Sequence, residues 1–100
     1  MSAFLIIQGN VTNWNKFKGY TAVVPDLVTR FGGKYIAMGT PEILEGDTTH
    51  MSAVISQWPT KRAIHDFWHS IEYQQTKVLR EGAGTFNVMI VESLPITSKE

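Results

Sequence analysis

The stretch from Trp58 to Gly82 constrains the fold more than any other part of the chain. An apolar, β-branched run ends at Trp58, Pro59 cannot donate to a strand ladder, and Thr60 is a good helix N-cap. Ile64, Phe67, Trp68 and Ile71 then form a compact apolar stripe at helical spacing. Ser70 offers a second cap inside that stretch, with Glu72 placed against the positive end of the next helix dipole. The second helical piece runs to about Glu81, with Arg80 near its close, and Gly82-Ala83-Gly84 stops it. The segment therefore reads as strand end, Pro-led turn, helix, and a Ser-capped restart.

The same punctuation orders the rest. Ala3 to Gln8 is a strand closed by Gly9-Asn10, and Thr12 or Asn13 caps the helix that follows. Trp14, Phe17, Tyr20 or Thr21, Val24, Leu27, Val28 and Phe31 make one apolar face. Pro25 lies inside that pattern and predicts a kink or break just before it, while Gly32-Gly33 ends the helix. Lys34 to Met38, Met51 to Trp58 and Thr85 to Glu92 are the remaining strands. Gly39-Thr40-Pro41 and Leu44-Glu45-Gly46-Asp47 read as loop or edge structure. Residues 1–93 are expected to form one α+β domain, with 94–100 a flexible tail. The order is β-α-β-β-α-β. Right-handed crossovers in each half give a four-stranded antiparallel sheet with the helices on one face, the ferredoxin-like arrangement. Its other face is left bare, and pairing two such sheets in a homodimer would bury it.

Composition agrees. Of the 100 residues, 43% are hydrophobic and 18% charged, so a folded chain with some apolar surface under a second subunit is expected. The formal net charge is +0 with no Lys/Arg cluster; phosphate neutralisation would need such a cluster, so no nucleic-acid partner is expected. Cys is absent, which excludes disulfides, thiolate chemistry and Cys-based metal sites. The apolar run near Met1 lacks a basic flank and is short for a signal peptide, and no stretch approaches the ~20 apolar residues of a span. A cytoplasmic protein with no membrane partner is expected.

Several constellations invite chemistry. His65 and His69 stand four apart with Asp66 between, as in a zinc signature, but Arg62 is close and a third ligand is not obvious; solvated histidines are the simpler reading, with no metal. Gly32-Gly33 and Gly82-x-Gly84 follow helices rather than open them, so neither is a phosphate loop. Ser70, Tyr73, Lys77 and Arg80 form one polar stripe that could grip an anion through Arg80 and Tyr73. Its plainer reading has Ser70 capping, Tyr73 packing and Arg80 paired with Glu45, Glu72 or Glu81. Trp14, Trp58, Trp68, Tyr35 and Tyr73 could line an aromatic pocket, though core packing also accounts for them. Asn87, His50 and Ser52 lie on strands and could hydrogen-bond across a dimer.

As an ordered set, Pro25, Phe31-Gly32-Gly33-Lys34-Tyr35, Leu44-Glu45-Gly46, Trp58-Pro59-Thr60, Phe67-Trp68-His69-Ser70-Ile71-Glu72-Tyr73-Gln74 and Leu79-Arg80 resemble the bacterial family known as domain of unknown function thirteen-thirty. The resemblance covers roughly Phe4 to Glu92. It departs at Trp58, where the family usually has Phe, and at Ile71, where it has Pro; without that Pro a continuous kinked helix is an alternative to two pieces. The resemblance implies a ferredoxin-like, dimeric α+β barrel and no established activity. More distant relatives include cofactor-free monooxygenases, lactone isomerases and haem-binding proteins. None of the three histidines sits in a haem motif, so no cofactor is expected.

Three readings compete. The enzyme reading is a cofactor-free isomerase or monooxygenase-like protein with Glu45 as base, Tyr73 as hydrogen-bond donor and Arg80 as anion stabiliser. Tyr35, Trp68, Ser70 and Glu72 would bind its ligand. A binding reading keeps the cleft without an acid–base pair. A structural reading has no cleft and Arg80 locked to a glutamate.

Overall fold

The computed structural model describes residues 2–47 and 52–95. Four strands, β1 (Ala3–Val11), β2 (Lys34–Gly39), β3 (Ser52–Trp58) and β4 (Gly84–Glu92), form one sheet in the order β2-β3-β1-β4. Every neighbouring pair is antiparallel. Helices α1 (Trp14–Arg30), α2 (Lys61–Trp68) and α3 (Ile71–Lys77) cover one face, and a 3-10 turn, Val78–Arg80, continues α3. This is the expected ferredoxin-like order. His50, Met51 and the end of the expected tail lie outside the described residues. Among the described residues, no helix is long and apolar enough to cross a membrane.

The caps act where the residue types call for them. Asn13 accepts from the Lys16 amide at 3.1 Å, Thr60 from Ala63 at 3.0 Å and Ser70 from Tyr73 at 3.0 Å. Ser70 also donates to the Phe67 carbonyl at 2.7 Å, so one hydroxyl closes α2 and opens α3. The helix is therefore two pieces. At the end of α1, Gly32 takes φ +96, and the Gly33 amide returns to the Val28 carbonyl at 2.8 Å.

Two boundaries differ from expectation. Of the kink or break expected at Pro25, the break does not occur: α1 is one helix from Trp14 to Arg30. Pro25 costs the helix one donor, and its ring excludes a bond to the Thr21 carbonyl, but both residues are exposed, where solvent can satisfy that carbonyl. β1 also extends past Gly9-Asn10 to Val11, because β4 pairs along its whole length, from Ala3↔Glu92 to Val11↔Gly84.

Strand alternation sends Ala3, Leu5, Ile7, Ser56, Trp58, Val88 and Ile90 toward the helices, where they pack with Tyr20, Val24, Leu27, Val28, Ile64, Phe67 and Tyr73. Trp58, Tyr73, Phe67 and Ile64 are the largest fully buried side chains; each contributes about 1.5–3 kcal/mol through apolar burial. Gly33 is required beneath Trp58: a Cβ there would meet the indole at 2.6 Å and Val28 at 2.8 Å.

Candidate functional site

A cavity of about 380 Å³ lies between α1 and the sheet. Leu5 and Ile7 of β1, Val54 and Ser56 of β3, and Phe86 of β4 floor it; Phe17, Tyr20, Val24 and Val28 of α1 roof it. Gly9 pairs with Phe86 across the sheet, and a Cβ on Gly9 would meet the Phe86 ring at 2.7 Å. Its bareness lets that ring lie over β1 and stack on Phe17, with centroids 5.5 Å apart. Tyr35 and Met38 both line the cavity although three residues apart, a spacing that sends regular strand residues to opposite faces. A register shift between Tyr35 and Ala37 returns Met38 to the inner side, opposite Val54.

The polar groups converge from α1, α3 and the 3-10 turn. The Tyr20 and Tyr73 hydroxyls share a buried hydrogen bond of 2.9 Å. Burial pushes the Tyr20 hydroxyl far above the ordinary tyrosine range; Tyr73 adds to the rise and Arg80 opposes it. Tyr35 is also raised, by burial first and then by Tyr73. The Arg80 guanidinium sits 4.7 Å from the Phe86 ring centre and 5.5 Å from that of Tyr20. Among the described residues it forms no ion pair; the two bridges there are Arg30–Glu72 at 3.5 Å and Arg62–Asp66 at 3.4 Å. The plainer reading of the stripe, Arg80 held by a glutamate, is therefore replaced by an aromatic cradle.

The candidates from sequence fall into three places. Tyr35, Tyr73 and Arg80 line the cavity together. Trp68 and Ser70 stand behind Tyr73: the Trp68 ring packs on it at 5.0 Å, and Ser70 accepts its amide. Glu72 and Glu45 lie elsewhere, Glu72 paired with Arg30 on the outer side of α1 and Glu45 exposed in the 40–47 segment. Among the described lining residues there is no carboxylate or imidazole. His65 and His69 stack on the exposed side of α2, centroids 5.7 Å apart, and no metal-binding group of three or more ligands occurs among the described residues.

Sequence alone does not mark Tyr20, Ser56 or Phe86 as site residues. Tyr20 sits on an apolar helix face, where a buried hydroxyl needs a partner; Ser56 alternates with Val54 and Trp58 on the inner parity of β3. Those are the signals that could have marked them. Phe86 carries no such signal, because its place depends on Gly9 across the sheet.

An antiparallel four-stranded sheet with helices on one face, a mostly apolar cavity between them and an arginine without a carboxylate partner among the described residues define a small ferredoxin-like α+β protein. The chain belongs to the family Domain of unknown function (DUF1330), whose model matches residues 2–94. No curated protein matches the chain. Among solved structures it is similar to the protein RPA0582 of unknown function from Rhodopseudomonas palustris, with TM-score 0.76, 14% identity, and 95% of this chain and 84% of that one covered. SnoaB, a cofactor-independent oxygenase from Streptomyces nogalater, superposes with TM-score 0.68 at 13% identity over 99% and 98% of the two chains. A dimeric ferredoxin-like protein of unknown function from Jannaschia sp. CCS1 gives 0.70 at 8% over 93% and 100%. At such identities the likeness is one of fold.

Proposed function

We propose that this chain is a homodimeric α+β barrel protein that acts as a cofactor-free small-molecule enzyme, isomerase or monooxygenase-like, in the cavity between α1 and the sheet. The observation that carries this reading is Arg80: half-buried, cradled by Tyr20 and Phe86, and without a carboxylate partner among the described residues, at the wall of an apolar cavity. A cation held in place beside hydroxyl donors stabilises negative charge developing on a substrate oxygen. Arg80 is the proposed anion stabiliser and Tyr73 the proposed hydrogen-bond donor, with Tyr20 its buried partner and Tyr35 a further lining hydroxyl. Trp68 and Ser70 act through Tyr73, by packing and by fixing the start of α3. An enolate or phenolate that has already lost its proton to water can be reprotonated from solvent at a different carbon, or can pass one electron to dioxygen, and the resulting substrate radical and superoxide combine to a peroxide. Neither course requires a cofactor. SnoaB, a cofactor-independent oxygenase on the same fold, supports the reaction class by fold analogy.

The proposed partner is a second copy, seated on the bare face of the sheet. Register places Met89, Ile6, Ile55 and Ala37 in one row across that face and Val91 and Phe4 in the next, with Met89 38% and Val91 49% exposed. The dimeric Jannaschia protein supports this reading.

A non-catalytic carrier is the second reading, favoured by the lack of a carboxylate or imidazole among the described cavity residues. The test is to incubate the purified protein in air with a panel of phenols and enolisable ketones, following oxygen uptake and, in deuterated water, proton exchange by NMR. The enzyme reading predicts turnover that falls by about a hundredfold in Arg80→Gln. Ligand binding with no turnover across the panel would establish the carrier instead.

A further inference from the structure

We infer that the ligand of this cavity enters already ionised: it is a flat, mainly apolar acid, a phenol or enol acidic enough to lose its proton to water, and the cavity captures its oxyanion. This rests on the small-molecule reading above and adds the chemical class of the ligand.

The argument is a count of protons at the cavity wall. Tyr20 and Tyr73 bring two hydroxyl protons but share one hydrogen bond, so one O–H is left over. The Ser56 oxygen accepts from Trp58 Nε1 at 2.8 Å, which leaves the Ser56 proton unspent beside the cavity. Tyr35 makes no hydrogen bond among the described residues, so its O–H is also available. Arg80 adds guanidinium donors with no counter-ion among the described residues. The two other lining hydroxyls are already committed, Ser52 to the Gly9 carbonyl and Thr21 to that of Lys18.

On the other side of the count, the described lining residues include no base. The titratable groups facing this space are Tyr20 from α1, Tyr35 from β2, Tyr73 from α3 and Arg80 from the 3-10 turn; β1, β3, β4 and α2 contribute none among the described lining residues. Burial keeps Tyr20 and Tyr35 protonated at neutral pH, so they remain donors. A neutral phenol that entered would find nothing among the described lining residues to take its proton. Its anion meets one cation and up to three hydroxyl donors. An ammonium of the same shape meets a like charge and loses its water without a partner. The apolar floor and the stacked Phe17 and Phe86 rings fit a flat body behind the oxygen.

The test uses three probes of nearly one size: 4-nitro-1-naphthol, which is coloured when ionised, its methyl ether, and 1-naphthylmethylammonium. Each is titrated into the wild-type protein by calorimetry, and the first also by absorbance across pH. The expected result is that the naphtholate binds about tenfold or more tighter than the ether and the ammonium, with the colour appearing at lower pH on the protein than free in solution. Arg80→Gln should abolish the colour shift, and Arg80→Lys should keep part of it. Circular dichroism checks that both variants are folded. Equal binding of naphtholate and ether would overturn the inference while leaving a small-molecule cavity in place. Tighter binding of the ammonium would also overturn it. If none of the three binds, the inference and the small-molecule reading both fall.

Discussion

Tyr20 joins the core to the candidate site, since one side chain is both a buried wall of the fold and half of the hydroxyl pair. Tyr20→Phe removes that bond and leaves the Tyr73 hydroxyl buried without its partner; the expected loss is about 1 kcal/mol, read from urea unfolding at neutral pH. The pH dependence follows from the direction of its shift. The folded pKa lies above the unfolded value of about 10, so this stabilisation is complete below pH ~10 and is lost as pH rises further. Wild type should therefore lose stability above that pH more steeply than Tyr20→Phe, and parallel profiles would contradict the burial assigned to Tyr20. At this scale the sequence was only partly legible. Tyr35, Tyr73 and Arg80 could be read from residue type and spacing, and the cavity brings them together. In sequence Tyr20 is one more apolar-face position, and the cradle for Arg80 depends on Phe86, which no local pattern ties to residue 80.

The α2–α3 junction carries the clearest consequence of a single element boundary. Ser70 has φ −65 and ψ 151, an extended geometry that a following Pro favours, and Ile71 is the first residue of α3 with 73% of its surface exposed. Ile71→Pro should therefore stabilise the protein by about 0.4–1 kcal/mol, because the unfolded chain loses freedom while the helix loses no bond at its first position. Ser70→Ala should cost about 1–2 kcal/mol, since one hydroxyl serves both the Tyr73 amide and the Phe67 carbonyl. Thermal unfolding of the two variants checks both signs. Caps and glycine stops were legible because each is a local hydrogen-bonding demand. The passage of α1 through Pro25 and the bulge in β2 were not. The first turns on the exposure of Thr21 and Pro25, and the second on pairing with β3, neither of which is local.

For the whole molecule, the sheet has one face under helices and one without. The order of elements made that division legible, and the alternation in β4 repeats it, with Phe86, Val88 and Ile90 turned inward and Met89 and Val91 outward. If the bare face is where two copies meet, Ile55→Lys should convert a dimer to a monomer in sedimentation velocity, because it puts a charge beside Ile6 and Ala37 at the middle of the face. The wild-type fold should survive, since Ile55 points away from the helix-covered core.

The cavity as an oxyanion site is the claim on which the functional account stands. The most direct test is a crystal structure of the protein grown with 4-nitro-1-naphthol. The account predicts a flat ligand between α1 and the sheet, its oxygen within hydrogen-bond reach of Arg80 and of the Tyr20–Tyr73 pair. An unliganded cavity at saturating probe, or a ligand with its oxygen turned away from an Arg80 bound to a carboxylate, would contradict it.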